Sequence, residues 1–145
     1  MYVGKISEVS DEIYQAAQRL IPQLGAHKIP PTWDELNALI RSEASKLLIA
    51  RYPDDEGEIK GLLTLTIYRV PTGLRSIVED VVVDESVRRR GVGEALIHYA
   101  LELAGKAGAA GVALTSNPQR VAANQLYQSM GFKLRQTNSY FYQLK

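Results

Sequence analysis

Residues 77–83 are apolar and β-branched apart from Glu79 and Asp80, and the chain then passes through Arg88-Arg89-Arg90-Gly91-Val92-Gly93 into a pattern of different period. The apolar run has the composition of a strand buried on both faces. From Gly93 onward Leu96, Tyr99, Ala100, Leu103 and Ala107 form one helical stripe, with Glu94, His98, Glu102 and Lys106 opposite. A strand must therefore turn into a helix at the glycines. There the free amides of a helix N-terminus and its dipole favour negative charge, and the missing Cβ atoms of Gly91 and Gly93 permit close approach to the main chain. Guanidinium forks from Arg88, Arg89 and Arg90 add charge-assisted bonds, so the junction reads as an anion site suited to a diphosphate.

Two nucleotide-binding patterns share part of this signal and fail on detail. Gly93 is followed by Glu94, Ala95 and Leu96, which omits the third glycine of the dinucleotide fingerprint, and no acid ends the next apolar run at residues 112–116. No Gly-Lys-Ser/Thr follows, which removes the P-loop. On these residues alone, a solvated arginine turn closed by two glycines stays open as the plainer alternative.

The length of 145 residues suits one domain, residues 1–145, and 46% hydrophobic residues supply a core. With a formal charge of +1 the chain has no general attraction to nucleic acid or anionic membranes, and with no cysteine it has no disulfide, thiolate metal site or cysteine nucleophile. No metal site is expected. No run is long enough to span a membrane, and the opening Tyr2-Val3-Gly4-Lys5-Ile6 alternates like a strand rather than a signal peptide, so the expected location is the cytoplasm.

Along the chain, Ser10 caps a helix bearing Ile13, Ala16, Ala17 and Leu20, which ends at Pro22 or Gly25. Thr32 and Glu35 form a capping box for a second helix with Leu36, Leu39 and Ile40 inward. Residues 46–52 and 58–68 predict a hairpin, and Pro71-Thr72-Gly73 turns into the strand ending at Val83. After the Gly91 helix come a strand at 112–116, a helix from about Arg120 to Met130 stopped by Gly131, and a β segment at 132–144 split near residues 136–139. This order predicts an α+β fold: a mixed, mostly antiparallel sheet flanked by helices.

Arg88-Arg89-Arg90-Gly91-Val92-Gly93 matches in full the Gln/Arg-x-x-Gly-x-Gly/Ala motif of the GNAT superfamily of acyl-CoA-dependent N-acetyltransferases, which the chain resembles. The resemblance also covers Val81-Val82-Val83 before the loop and Leu96 after it; Ala122-Ala123-Asn124-Gln125-Leu126-Tyr127-Gln128-Ser129-Met130-Gly131-Phe132 is similar to a second family block, and with the strand order the likeness extends over nearly the whole chain. It implies the GNAT-like fold with a splayed central strand pair, and acetyl-CoA as co-substrate. The diphosphate would lie on Arg88, Arg89, Arg90, Gly91, Val92, Gly93 and Glu94. The pantetheine arm would pair with the main chain of Val81, Val82 and Val83, where the family has a bulge. Tyr127 occupies the position that protonates the departing thiolate, and a phenol titrating near pH 10 holds its proton until then. On its residues alone, without the Gly131-Phe132 context, Tyr127 reads first as a packing side chain on an amphipathic helix.

Glu79 is the candidate base, with Asp80 a weaker one; strict alternation puts Glu79, Val81 and Val83 on one face. A surface carboxylate, or one paired with Arg75, is the competing reading. The family commonly has an asparagine seven residues before the tyrosine, and here Arg120 stands there. The pantetheine contact would pass to Asn124 or Asn117. His98 lies on a solvated helix face; His27 and Trp33 lie near a segment that overhangs the acceptor site in this family.

The resulting expectation is acetyl transfer from acetyl-CoA to a primary amine, small-molecule or peptide, of unspecified identity. The competing class is a non-catalytic acyl-CoA-binding sensor or interaction module. Tyr140-Phe141-Tyr142 either shape an acceptor pocket or pair across strands, and the last strand could join two copies as a homodimer.

Overall fold

A computed structural model describes residues 1–145, which fall into two compact units, Met1–Thr115 and Ser116–Lys145. Together they hold four α-helices and five strands, a mixed α+β set. The first unit carries the whole sheet, β1 (Tyr2–Lys5), β2 (Ser45–Tyr52), β3 (Glu58–Val70), β4 (Gly73–Val83) and β5 (Val112–Leu114), in spatial order β1-β2-β3-β4-β5. All pairs are antiparallel except β4 with β5.

Helix α1 (Asp11–Leu20) starts where the Ser10 hydroxyl accepts from the Ile13 amide, and it runs into a 3₁₀ turn, Ile21–Leu24. Helix α2 (Trp33–Arg41) opens on the expected capping box of Thr32 and Glu35. Ile13, Ala16, Ala17, Leu20, Leu36 and Ile40 pack on Leu47, Ile49, Ile59, Leu62 and Val82, which form one face of the sheet. Leu48, Ala50, Leu63, Leu65 and Val78 alternate with these and are buried on the other face, against which α3 (Val92–Ala107) packs. The helix comes so close at Gly61 that a Cβ there would lie 2.9 Å from Leu96 and 3.0 Å from Val92. Its buried stripe is Val92, Leu96, Ile97, Ala100 and Ala104. Tyr99 and Leu103 stay half-buried and Ala107 is exposed, so the core-facing stripe is rotated from the one expected.

Two bulges interrupt the ladders. In β3, Ile59 and Gly61 pair with Arg51 and Ala50, leaving Lys60 as the extra residue. In β4, Glu79 pairs with Thr64 and Val82 with Leu62, so Asp80 and Val81 together oppose Leu63. Asp80 takes a left-handed conformation, φ 50°. The predicted sharing of a face by Glu79, Val81 and Val83 is therefore wrong. Residues opposite one another project to the same side, so Glu79 and Val82 share the face of α1 and α2, while Val83, opposite Gly61, and Val81 lie on the face of α3.

In the second unit, α4 (Val121–Ser129) ends before Gly131, which is left-handed at φ 100°. The two strands expected in residues 132–144 are not formed. Beyond the bond from the Phe132 amide to the Tyr127 carbonyl these residues make no ladder, and Leu134, Tyr140, Phe141, Tyr142 and Leu144 are exposed. Strand propensity needs a neighbouring strand to become structure.

Candidate active site

Strand β4 delivers the chain to the arginine loop through an anchored elbow. Asp84 is buried, and its carboxylate accepts the Ser86 amide at 2.9 Å, opening a 3₁₀ turn, Glu85–Val87, whose Val87 side chain is also buried. Beyond this anchor Arg88, Arg89 and Arg90 are exposed, and none of the three is within salt-bridge distance of a carboxylate. Arg89 and Gly91 are left-handed, at φ 63° and 81°. Gly91 caps α3 with no side chain, and the first intrahelical bond is Ala95 amide to Gly91 carbonyl, so the amides of Val92, Gly93 and Glu94 have no intrahelical acceptor. Three free guanidinium groups thus stand at a helix start with unused donors, which fits a diphosphate. Val82 and Val92 have buried side chains, leaving only their main chain for a ligand.

The sheet opens beside this loop. Ser76 Oγ donates to the Gly111 carbonyl at 2.7 Å, and the β4–β5 ladder runs only from Ser76 with Val112 to Val78 with Leu114. From Glu79 to Val83, β4 has no β5 partner, so main-chain groups on that side are free to pair with an extended amide-bearing ligand. Glu79 and Asp80 are both exposed at the start of this open stretch, and neither pairs with Arg75, whose guanidinium donates to Thr72 Oγ1 at 3.1 Å.

In the second unit Tyr127 is 8% exposed and sits edge-on to Phe132, ring centroids 5.9 Å apart. Burial pushes its phenol above the ordinary range, opposed in part by the Arg120 charge. Arg120 itself is an exposed residue preceding α4 and caps nothing with its side chain. Asn124 Nδ2 donates to the carbonyls of Asn117 at 3.0 Å and Arg120 at 2.8 Å, while Asn117 Oδ1 accepts the Gln119 amide at 2.9 Å. The Asn124 amide nitrogen is thus occupied by the loop before α4, and its oxygen is the group left for a ligand. His98 is exposed, 3.6 Å from Glu94, and His27 is exposed in the α1–α2 connector. Trp33 is exposed, its ring tilted against Tyr14 with centroids 5.6 Å apart.

Sequence reading passed over the residues that fasten the elbow. The Asp84 amide donates to the Lys60 carbonyl at 2.8 Å, its carboxylate lies 3.8 Å from Lys60 Nζ and 3.9 Å from Arg19 Nε, and Gln23 Oε1 accepts the Glu85 amide at 3.0 Å. The available signal was an aspartate two residues before a serine at a strand end, the pattern of an Asx turn.

The model of the acetyltransferase (GNAT) family matches residues 10–132. No curated protein matches the chain by sequence. Among solved structures, an aminoglycoside acetyltransferase from an uncultured soil metagenomic sample is 19% identical with a TM-score of 0.85, covering 99% of this chain and 96% of its own. An acetyltransferase of Trypanosoma brucei is 24% identical, TM-score 0.76, covering 98% and 99%. The ribosomal-protein-alanine N-acetyltransferase of Brucella melitensis biovar Abortus 2308 is 19% identical, TM-score 0.74, covering 99% and 100%. At these identities the likeness is one of fold, and with the family match over most of its length this chain belongs to the acetyltransferase (GNAT) family and is an acyltransferase.

Proposed function

We propose that the chain moves acetyl from acetyl-CoA to a primary amine. The observation that carries this reading is the meeting, within one unit, of three unpaired arginines at an uncapped helix start and a strand end with no partner on one side. The first suits a diphosphate and the second a pantetheine arm.

The bound thioester supplies an activated acyl group; the remaining tasks fall to the chain. Arg88, Arg89, Arg90 and the amides from Gly91 to Glu94 hold the diphosphate. The main chain of Val81, Val82 and Val83 aligns the arm, and an amide of this open strand end polarises the acyl carbonyl. Glu79 takes a proton from the acceptor ammonium, directly or through water. Tyr127 gives its proton to the departing sulfur, and Asn124 offers its side-chain oxygen to the arm.

The test is a screen for thiol release from acetyl-CoA across amine classes, alongside calorimetric titration with coenzyme A. The panel includes an aminoglycoside and a peptide with N-terminal alanine, acceptor classes suggested by the names of structurally similar enzymes. Coenzyme A binding with an amine that raises thiol release is the expected result. Binding with no effective amine would favour a non-catalytic module, and no binding would sink the reading.

A further inference from the structure

The arginine loop is held at its root by groups from three separate elements: two of them face the buried carboxylate of Asp84, and the third holds the next amide, that of Glu85. Strand β3 contributes Lys60 twice: as the bulged residue its carbonyl accepts the Asp84 amide at 2.8 Å, while its ammonium reaches to 3.8 Å from Asp84 Oδ2. Helix α1 contributes Arg19, whose Nε lies 3.9 Å from the same oxygen while its Nη2 donates to the Ile59 carbonyl at 2.7 Å. The 3₁₀ turn after α1 contributes Gln23, which accepts the Glu85 amide at 3.0 Å. The other carboxylate oxygen of Asp84 accepts the Ser86 amide at 2.9 Å. Asp84 thus has both oxygens engaged and two cations beside it, at 7% exposure.

We infer that Asp84 is a positioning residue for the arginine loop, fixing where Arg88 to Glu94 present their donors by tying the strand end to Lys60, Arg19 and the turn that Gln23 steadies. The inference rests on the reading that this loop holds the coenzyme A diphosphate. Its basis in geometry is that the elbow is short: three residues, Glu85 to Val87, separate Asp84 from Arg88, and they form one 3₁₀ turn whose Val87 is buried, so a shift at Asp84 is expected to carry the arginine loop with it. Burial would by itself raise the Asp84 carboxyl, yet the Ser86 bonds and the Lys60 and Arg19 charges leave it below the usual range, so it is ionised at neutral pH.

Asp84→Asn keeps an oxygen for the Ser86 amide and removes the charge that faces Lys60 and Arg19. The expected result is an increase of about tenfold in the Kd of coenzyme A, with KM for acetyl-CoA rising in step and kcat changing less than about twofold. Hydrogen exchange of the free protein should quicken at Ser86 and Val87, whose amides bond to Asp84. Lys60→Gln should weaken binding similarly, and the double variant should be no weaker than the worse single one, because both cut one link. If Asp84→Asn does not fold, Gln23→Ala loosens the same elbow from another element, with a loss of a few-fold in affinity expected. Native protein that binds coenzyme A while Asp84→Asn and Gln23→Ala bind equally well overturns the inference alone. Native protein that does not bind coenzyme A overturns the reading beneath it.

Discussion

At the scale of single residues the proposed roles divide between a group that must lose a proton and one that must keep it. For Tyr127 burial raises the phenol and Arg120 partly lowers it, with a net rise. A proton donor fails when pH climbs through its pKa, so the basic limb of kcat is expected above about pH 10, the ordinary phenol value. Tyr127→Phe should lower kcat by about 10²-fold and abolish that limb with little change in coenzyme A affinity, as read from pH profiles and titration. Arg120→Ala should move the limb higher still. For Glu79 the expected effect of Glu79→Gln is a fall of about 10²-fold in kcat, with Asp80→Asn near native; the reverse order would transfer the base role to Asp80. The anion loop was legible because arginines and glycines announce their chemistry locally. The face of Glu79 was not, because a bulge shifts every later side chain to the other side. The one local hint is Asp80, a residue type that tolerates the left-handed conformation it adopts at φ 50°.

At the scale of elements, helix starts were the most legible features, since Ser10, Thr32 with Glu35, and Gly91 each satisfy or leave open specific amides within a few residues. Strands whose partners lie close in sequence, β2 to β4, were legible for the same reason of locality. The final β segment was not, because the alternation in residues 132–144 is a preference that only a partner strand can realise. Gly91, at the N-cap of α3, and Gly105, within it, offer an internal comparison. A Cβ at either Gly91 or Gly105 would meet nothing within 4 Å, so sterics with neighbours are equal and conformation decides. Gly91 is left-handed at φ 81°, and Gly91→Ala should destabilise by about 1–2 kcal/mol and weaken coenzyme A binding as well, because the added methyl stands at the helix start. Gly105 lies in the last turn of α3, and Gly105→Ala should stabilise by about 0.5 kcal/mol without touching affinity. Chemical denaturation with coenzyme A titration separates the two.

At the scale of the whole molecule, we propose that residues 1–145 fold as one domain although they divide into two compact units at Thr115. The segment Ser116–Lys145 contains one helix of modest length, one well-buried large side chain, Tyr127, and a tail whose apolar groups are exposed. With no cysteine and no cluster of metal ligands, it lacks the staples that chains below about 40 residues usually need to fold alone. The family match, at residues 10–132, crosses the boundary between the units instead of stopping there. On size the second unit is not expected to fold by itself, and a single transition follows if its helix forms only when the first unit is folded. Calorimetry of the full chain should give one endotherm with equal calorimetric and van't Hoff enthalpies, and near-ultraviolet dichroism from the tyrosines should melt at the same temperature. Acid should bring that temperature down. Glu12, held by its hydrogen bonds to Arg51, and Asp84 both titrate below the ordinary carboxylate range, so their contribution is present at neutral pH and lost as pH falls through those lowered values. Glu12→Gln should flatten the decline. Two resolved endotherms, or exchange protection in α4 that vanishes well below the melting of the sheet, would show instead that the chain is two folding units.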